Sequence, residues 1–230
     1  MKTNLRVNGI DISEVVIMDR ATQFAADVCD GKYNKGELEI LSCKRHLNDL
    51  ERQGTDDFPY VWDEDKANDI IDFAENLILA EGEEPTPMKL YPFQCFMFGS
   101  WNGWVHKDTG YRRFRTSYIQ VARQNGKSVG NAVPALFYSN FSGYNYPQCY
   151  TVATKEDQAK IVLKECYKFI NADKELSGTK TKQGLFTIKD YKSTIECNLT
   201  GGTIRALGRD SKSIDGFRSY FASIDELFVT

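Results

Sequence analysis

At 230 residues, with 41% hydrophobic and 27% charged positions, the chain has the make-up of a soluble globular protein long enough to bury a sizeable core. Its six cysteines (Cys29, Cys43, Cys95, Cys149, Cys166 and Cys197) form no CxxC pair, and His46 and His106 lie far from any cysteine cluster, which excludes an evident zinc site or disulfide framework. No signal peptide opens the chain and no apolar run approaches the ~18 residues of a membrane span, so a reducing, cytoplasmic setting fits.

The net charge of −3 hides an asymmetry. Residues 1–90 hold 20 acidic and 10 basic side chains, a balance of −10, which leaves +7 on the remainder. The acidic part reads as three amphipathic helices. Residues 13–30 place Ile17, Ala21, Phe24, Ala25 and Val28 on one face and stop at Gly31; residues 36–52 align Ile40, Cys43, Leu47 and Leu50; residues 63–81 align Ala67, Ile70, Ile71, Ala74, Leu77 and Ile78 before Gly82. These stripes read as core. The segment EGEEPTP, residues 81–87, reads as a linker, giving a helical lead-in over 1–86 and a second domain over 87–230.

Residues 90–104 change character: Pro92 suits a first helical turn, and a dense aromatic run surrounds one amide, Gln94. That amide can bond a neighbouring backbone, or it can read the donor–acceptor edge of an adenine. Between residues 107 and 127, Lys107, Arg112, Arg113, Arg115, Arg123 and Lys127 face a single acid, Asp108, a balance suited to a polyanion, although a solvated basic face has the same composition.

Residues 114–122 (FRTSYIQVA) are rich in β-branched and aromatic side chains and predict a buried strand. The strand would run into VARQNGKS, residues 121–128, and then into a helix over 129–141 that Pro134 should kink or end early. A P-loop needs Gly, four residues, Gly, Lys and Ser or Thr, because bare backbone N–H groups wrap phosphate oxygens while the lysine and hydroxyl face the charge and Mg²⁺. Gly126, Lys127 and Ser128 satisfy that pattern; Val121 stands where the first glycine belongs, with Ala122, Arg123, Gln124 and Asn125 between.

A second strand is predicted over 148–153. A helix follows, with Thr154 and Asp157 as a capping pair and Ala159, Val162, Leu163, Cys166 and Ile170 at core spacing. Strands over 193–199 and 203–207 flank Gly201 and Gly202 as a hairpin. After a polar loop, residues 220–226 (YFASIDE) predict a strand ending in Asp225 and Glu226. A strand that ends in two carboxylates is the Walker B arrangement, the first acid helping to hold Mg²⁺ and the second orienting or deprotonating the attacking water. Both strand-borne motifs are expected at one edge of a parallel sheet.

With these features in order, the chain resembles the ATPase part of the large terminase subunit of tailed bacteriophages, nearly end to end. The resemblance is carried by RHLNDL (45–50), LYPFQ (90–94), RRF (112–114), VARQNGKS, ATKEDQA (153–159), SKSIDG (211–216) and SIDE (223–226). It implies a three-layer α/β P-loop ATPase of the ASCE type, with the core over 87–230, using ATP and Mg²⁺ to drive double-stranded DNA into a procapsid in the host cytoplasm. Implied partners are a portal protein, a small terminase subunit and further copies of the chain in a ring, with no membrane.

The same resemblance assigns Gln94 to adenine, Lys127 to the β- and γ-phosphates, Ser128 and Asp225 to Mg²⁺, and Glu226 to catalysis. It also accounts for Val121, since these motors tolerate loss of the first glycine and carry an arginine within the loop, here Arg123, beside the γ-phosphate. A planar guanidinium suits the charge that gathers on the departing phosphoryl group. Arg209 and Arg218 are candidates for an arginine offered to a neighbouring subunit. The resemblance further implies a strand after Walker B that lies between the P-loop and Walker B strands, and a nuclease domain. Their absence from the sequence reads as a fragment with incomplete sheet pairing. Rival readings are a helicase-like or restriction-type DNA translocase and a nucleotide-binding remnant without turnover.

Overall fold

Apolar residues at helical spacing build the first part of the computed structural model, which describes residues 6–7, 10–11, 18–122, 125–208 and 218–225. A short antiparallel pair, β1 (Arg6–Val7) and β2 (Ile10–Asp11), precedes α1 (Arg20–Cys29) and α2 (Glu37–Glu51). The helix expected from residue 13 begins later, because Asp19 caps it. Its carboxylate accepts from the backbone N–H groups of Ala21 and Thr22 at 2.9 and 3.0 Å. Ala21, Phe24, Ala25 and Val28 are buried as their spacing predicts, in a cluster with Cys43 and Phe96.

Further along come β3 (Tyr60–Trp62), α3 (Glu64–Asn76), β4 (Ile78–Leu79), β5 (Thr86–Pro87), α4 (Pro92–Gly103) and β6 (Trp104–His106). Two expectations fail here. The third helix stops at Asn76, and Ile78–Leu79 pairs antiparallel with Thr86–Pro87, so the segment read as a linker closes a small hairpin. Helical periodicity could not distinguish that last apolar turn from a strand of two residues.

The chain divides into two compact units that interleave in sequence: residues 1–68 with 91–114, and residues 69–90 with 115–230. In the first unit β3 pairs antiparallel with β6, setting Trp62 opposite Trp104. Gly103 permits this closeness, since a Cβ there would lie 2.8 Å from the Ala67 methyl and 2.9 Å from the Trp62 ring.

The centre of this unit is polar. On α2 the most buried positions after Cys43 are His46 and Asp49, whereas Leu50 is only half-buried. Trp104 donates its indole N–H to His46 Nδ1 at 3.0 Å, which leaves the imidazole proton on Nε2, 3.0 Å from Thr22 Oγ1. Thr22 donates onward to Asp19 Oδ2 at 2.5 Å, and Trp62 donates to the same oxygen at 3.1 Å. Each polar side chain of this Trp104–His46–Thr22–Asp19 relay thus has a partner, as burial requires.

Burial holds the His46 imidazole neutral, pushing its pKa down to about 4 against the pull of Asp19 and Asp49, with Arg45 and Arg113 adding to the decrease. Unfolded chains therefore take up a proton below pH ~6.5 that folded His46 refuses. Stability is expected to fall by roughly 3 kcal/mol as pH drops from ~6.5 to ~4, and to level off for this group below that. Urea unfolding at a series of pH values, compared between the native chain and His46→Asn, checks this: the native curve should lose its extra slope in the variant, and parallel curves would refute a buried neutral imidazole.

The second unit continues with α5 (Lys127–Asn140), β7 (Gln148–Val152), α6 (Glu156–Ala172), α7 (Lys174–Ser177), β8 (Phe186–Lys189), β9 (Thr194–Cys197), β10 (Thr203–Leu207) and β11 (Ser219–Ile224). One five-stranded sheet runs β11-β7-β10-β9-β8, with β7, β10 and β11 parallel and the β8–β9–β10 hairpins antiparallel. The Gly201–Gly202 connection lies between β9 and β10 as expected. β8 and α7 carry no strong sequence period and were not expected.

Helices α5 and α6 pack on each other, with Cys166 Sγ 3.8 Å from Ala132 O. They cover the sheet face that bears Cys149, Thr151, Ile195 and Ile204, and Glu196 and Arg205 on the opposite face are exposed. Pro134 sits inside α5 without ending it. Helix α6 starts after Lys155 with no side-chain cap; Thr154 instead donates to Gln158 Oε1 at 3.0 Å, so the expected Thr154–Asp157 capping pair is not formed.

The largest departure is residues 114–122. They form no strand; Arg115 to Gln120 are all exposed, Tyr118 at 69%. A strand's composition suits a pleated, half-buried surface but does not supply the neighbour that makes one. No described strand pairs with this segment, and β11 stands at the sheet edge.

Candidate nucleotide site

Three features define the site, beginning with the turn into α5. Gly126 is the N-cap with φ 68° and no side-chain cap, and a Cβ there would meet nothing within 4 Å. The left-handed backbone strains any residue but glycine, so it is conformation rather than crowding that selects Gly126. An uncapped N-terminus leaves the first-turn N–H groups to an outside acceptor, and the helix dipole favours an anion there. Lys127 is the first helical residue and is exposed; Ser128 follows, half-buried.

Upstream, Asn125 Nδ2 donates to Ala122 O at 3.2 Å. Val121 is half-buried and Ala122 exposed. Arg123 and Gln124 lie outside the described residues.

The third feature is the end of β11. Asp225 follows Ile224, and its backbone N–H donates to Val152 O at 2.9 Å, so this acid stands at the carboxyl end of a strand parallel to β7. The orientation of α5 brings the two features to one edge. Its last turn lies over the strand starts: Tyr138 rests against Phe221 with ring centroids 5.4 Å apart, and Thr200 donates to Ser139 O at 2.7 Å. At 1.5 Å per residue the helix extends about 21 Å from that turn, which carries its start at Gly126 toward the carboxyl ends of the strands. Glu226 lies outside the described residues, as do Arg209 and residues 211–216; Arg218 immediately precedes β11.

A single hydroxyl and a single carboxylate suit Mg²⁺, which keeps several waters and takes phosphate oxygens rather than a full protein cage. Among the described residues no group of three or more His, Cys, Asp or Glu side chains is placed to bind a metal. The donor set fits a magnesium–nucleotide better than a resident metal.

Gln94, the amide the sequence offered for adenine, is the third residue of α4 and belongs to the other compact unit. Its Oε1 accepts from the Tyr91 N–H at 2.9 Å, the return half of a capping box, with Pro92 at the first helical position. Of the two roles open to this amide, the structure displays the backbone one. The carbonyl oxygen has a second lone pair and the NH₂ group two donors, so the cap orients the amide without exhausting it.

Sequence reasoning gave Asp49 no role. This carboxylate is 1% exposed and accepts from Arg52 at 2.7 Å and from Arg113 at 2.5 Å. Burial pushes its pKa up, but the hydrogen bonds from Arg113 and Arg52 prevail and hold it below the usual carboxylate range. The RHLNDL and RRF segments therefore meet, with Arg113 also anchored through its N–H to Trp104 O at 2.9 Å. The available signal was position: Cys43, His46 and Asp49 recur every three residues on one side of α2.

No helix among the described residues is long and apolar enough to cross a membrane, and all six cysteines are free thiols. A family model for the ATPase domain of the terminase large subunit matches residues 92–229. Among solved structures, the crystal structure of the HK97 bacteriophage large terminase aligns with a TM-score of 0.57 at 21% sequence identity, over 69% of this chain and 30% of that one. The chain thus spans under a third of the length of that terminase. No curated protein matches it. The fold is an α/β P-loop ATPase of the ASCE type with a helical lead-in.

Proposed function

The chain belongs to the family of terminase large subunit ATPase domains, and from that premise we propose that it is the ATP-hydrolysing motor of a phage terminase, driving double-stranded DNA into a procapsid. The observation that carries this reading is the shared sheet edge: an uncapped α5 N-terminus at Gly126, followed by Lys127 and Ser128, on the side where β11 delivers Asp225.

In this reading residues 87–230 are the ATPase core and residues 1–86 its lead-in. The backbone N–H groups from Val121 to Ser128 surround the phosphates of ATP, with Ala122, Arg123, Gln124, Asn125 and Gly126 forming the loop between. Lys127 neutralises the β- and γ-phosphates, and Ser128 and Asp225 hold Mg²⁺, Asp225 through water. Glu226 orients and deprotonates the attacking water, and Arg123 meets the charge that develops on the γ-phosphoryl group. Gln94 reads the adenine edge with the donors its cap leaves over. The working assembly is a ring of copies with a portal protein and a small terminase subunit, in the cytoplasm of the infected host, touching the DNA backbone without reading sequence.

Magnesium-dependent ATP turnover by the purified chain tests the reading, with Lys127→Ala as control. The variant should bind ATP about 100-fold more weakly and show no measurable turnover. Binding and turnover equal to the native protein's would remove Lys127 from the phosphate site and leave the P-loop reading without support.

A further inference from the structure

One face of α2 is not used by the nucleotide site. Leu41, Lys44, Arg45, Asn48, Asp49 and Arg52 line an open groove of about 540 Å³. Asp49 forms its floor, already neutralised by Arg113 and Arg52. The remaining cations of the groove make no direct ion pair. Among the described residues no carboxylate lies within ion-pair distance of Lys44 or Arg45, and Arg45 bonds only weakly to Ser42 Oγ, at 3.4 Å.

The arrangement also holds like charges together. The guanidinium groups of Arg45 and Arg113 each lie 4.8 Å from the centroid of the same Phe114 ring. Asp49 pairs directly with Arg113, whereas it acts on Arg45 only through space, without an ion pair. Burial, and next to it Arg113, lower the proton affinity of Arg45. An anion entering the groove would relieve this repulsion.

We infer that the α2 groove is a docking surface for the phosphodiester backbone of double-stranded DNA, held by Lys44 and Arg45 with Arg52 at the rim. The length suits a phosphate backbone. From Lys44 to Arg52 the helix advances about 12 Å, and duplex DNA carries one phosphate charge per ~1.7 Å of axis, so the groove spans several phosphates at once. Asn48 adds a neutral donor between the cations, a usual backbone contact that reads no sequence. The inference rests on the motor reading above and names the surface by which its substrate is gripped; an acidic protein segment is the competing occupant.

The test is fluorescence anisotropy of a short labelled duplex with the full chain at several salt concentrations, alongside ATP turnover on the same preparations. Lys44→Ala with Arg45→Ala should weaken duplex binding about tenfold or more and lower the slope of log K against log salt by about 2. ATP turnover and the unfolding midpoint should be unchanged. Lys180→Ala, at an exposed position in the other unit, should leave binding as it was. Duplex affinity and salt slope equal to native in the double variant would overturn the inference. So would polyglutamate binding that the double variant loses while duplex binding persists. A chain that hydrolyses ATP but binds no duplex would sink the groove assignment and leave the ATPase reading standing, whereas loss of turnover alone would count against the latter.

Discussion

Replacing Glu226 by Gln is expected to lower ATP turnover by about 10²–10⁴-fold while leaving ATP affinity within a few-fold of native. The carboxamide keeps the size of the side chain but cannot accept the proton of the attacking water, so the loss falls on the chemical step. Phosphate and metal contacts belong to Lys127, Ser128 and Asp225 in this scheme and remain in place. Single-turnover kinetics with a separate equilibrium binding measurement distinguishes the two quantities. A parallel collapse of affinity would make Glu226 a ground-state metal or phosphate contact, a native rate in the variant would take the catalytic role away from Glu226, and a native chain with ATP binding but no turnover to lose would be the nucleotide-binding remnant considered as a rival. Arg123→Ala sharpens the comparison. Its rate defect should exceed its binding defect, since a guanidinium aimed at the γ-phosphoryl group gains most where charge gathers.

The second large effect is on folding. Asp49→Ala is expected to destabilise the first compact unit by about 3–5 kcal/mol, because Arg113 would be left half-buried beside Phe58, Tyr60 and Trp104 without its counter-charge. Arg113 is the sensitive partner: its side chain is 16% exposed, whereas that of Arg52 is 56% exposed and can turn to water. Urea unfolding measures the loss. Replacing both partners, Asp49→Leu with Arg113→Met, should recover much of it, since a buried pair exchanged for apolar groups of similar volume is often neutral. If the double replacement is as unstable as the single one, the ion pair is not the source of the loss.

How much of this was legible in the sequence depends on how local the cause is. The face of α1 could be read because Ala21, Phe24, Ala25 and Val28 recur at helical spacing and the burial follows from that spacing. β7 and β11 could be read as short apolar strands, and Gly126 as the turn into a helix, since φ 68° is a demand that glycine meets. Residues 114–122 could not be read in this way. Their side chains prefer a sheet, but a strand needs a ladder partner, and that is set by chain topology rather than by composition. Asp49 was hidden for a related reason: an acid is assigned to the surface by its type, and only the approach of Arg113, distant in sequence, makes its burial affordable. Gln94 lay between these cases, its two roles visible and the backbone one displayed. The sequence could name candidate site residues but not how they lie, which for Gly126 depends on the α5 orientation that Tyr138 and Ser139 disclose.

The interleaving of the two compact units bears on how the protein can be taken apart. Polypeptide crosses between them at residues 68/69, 90/91 and 114/115, so neither unit is a continuous stretch that a protease or a gene boundary could release. Dividing the chain between residues 86 and 87 would strip α4 of α1 and α2, baring Phe96, and would split β5, taking Pro87 from its place opposite Ile78. Complementary pieces divided there should be insoluble alone and recover structure only when mixed. Duplication, exchange or loss of one unit by simple recombination is correspondingly hard, which ties the inheritance of the helical lead-in to that of the ATPase sheet.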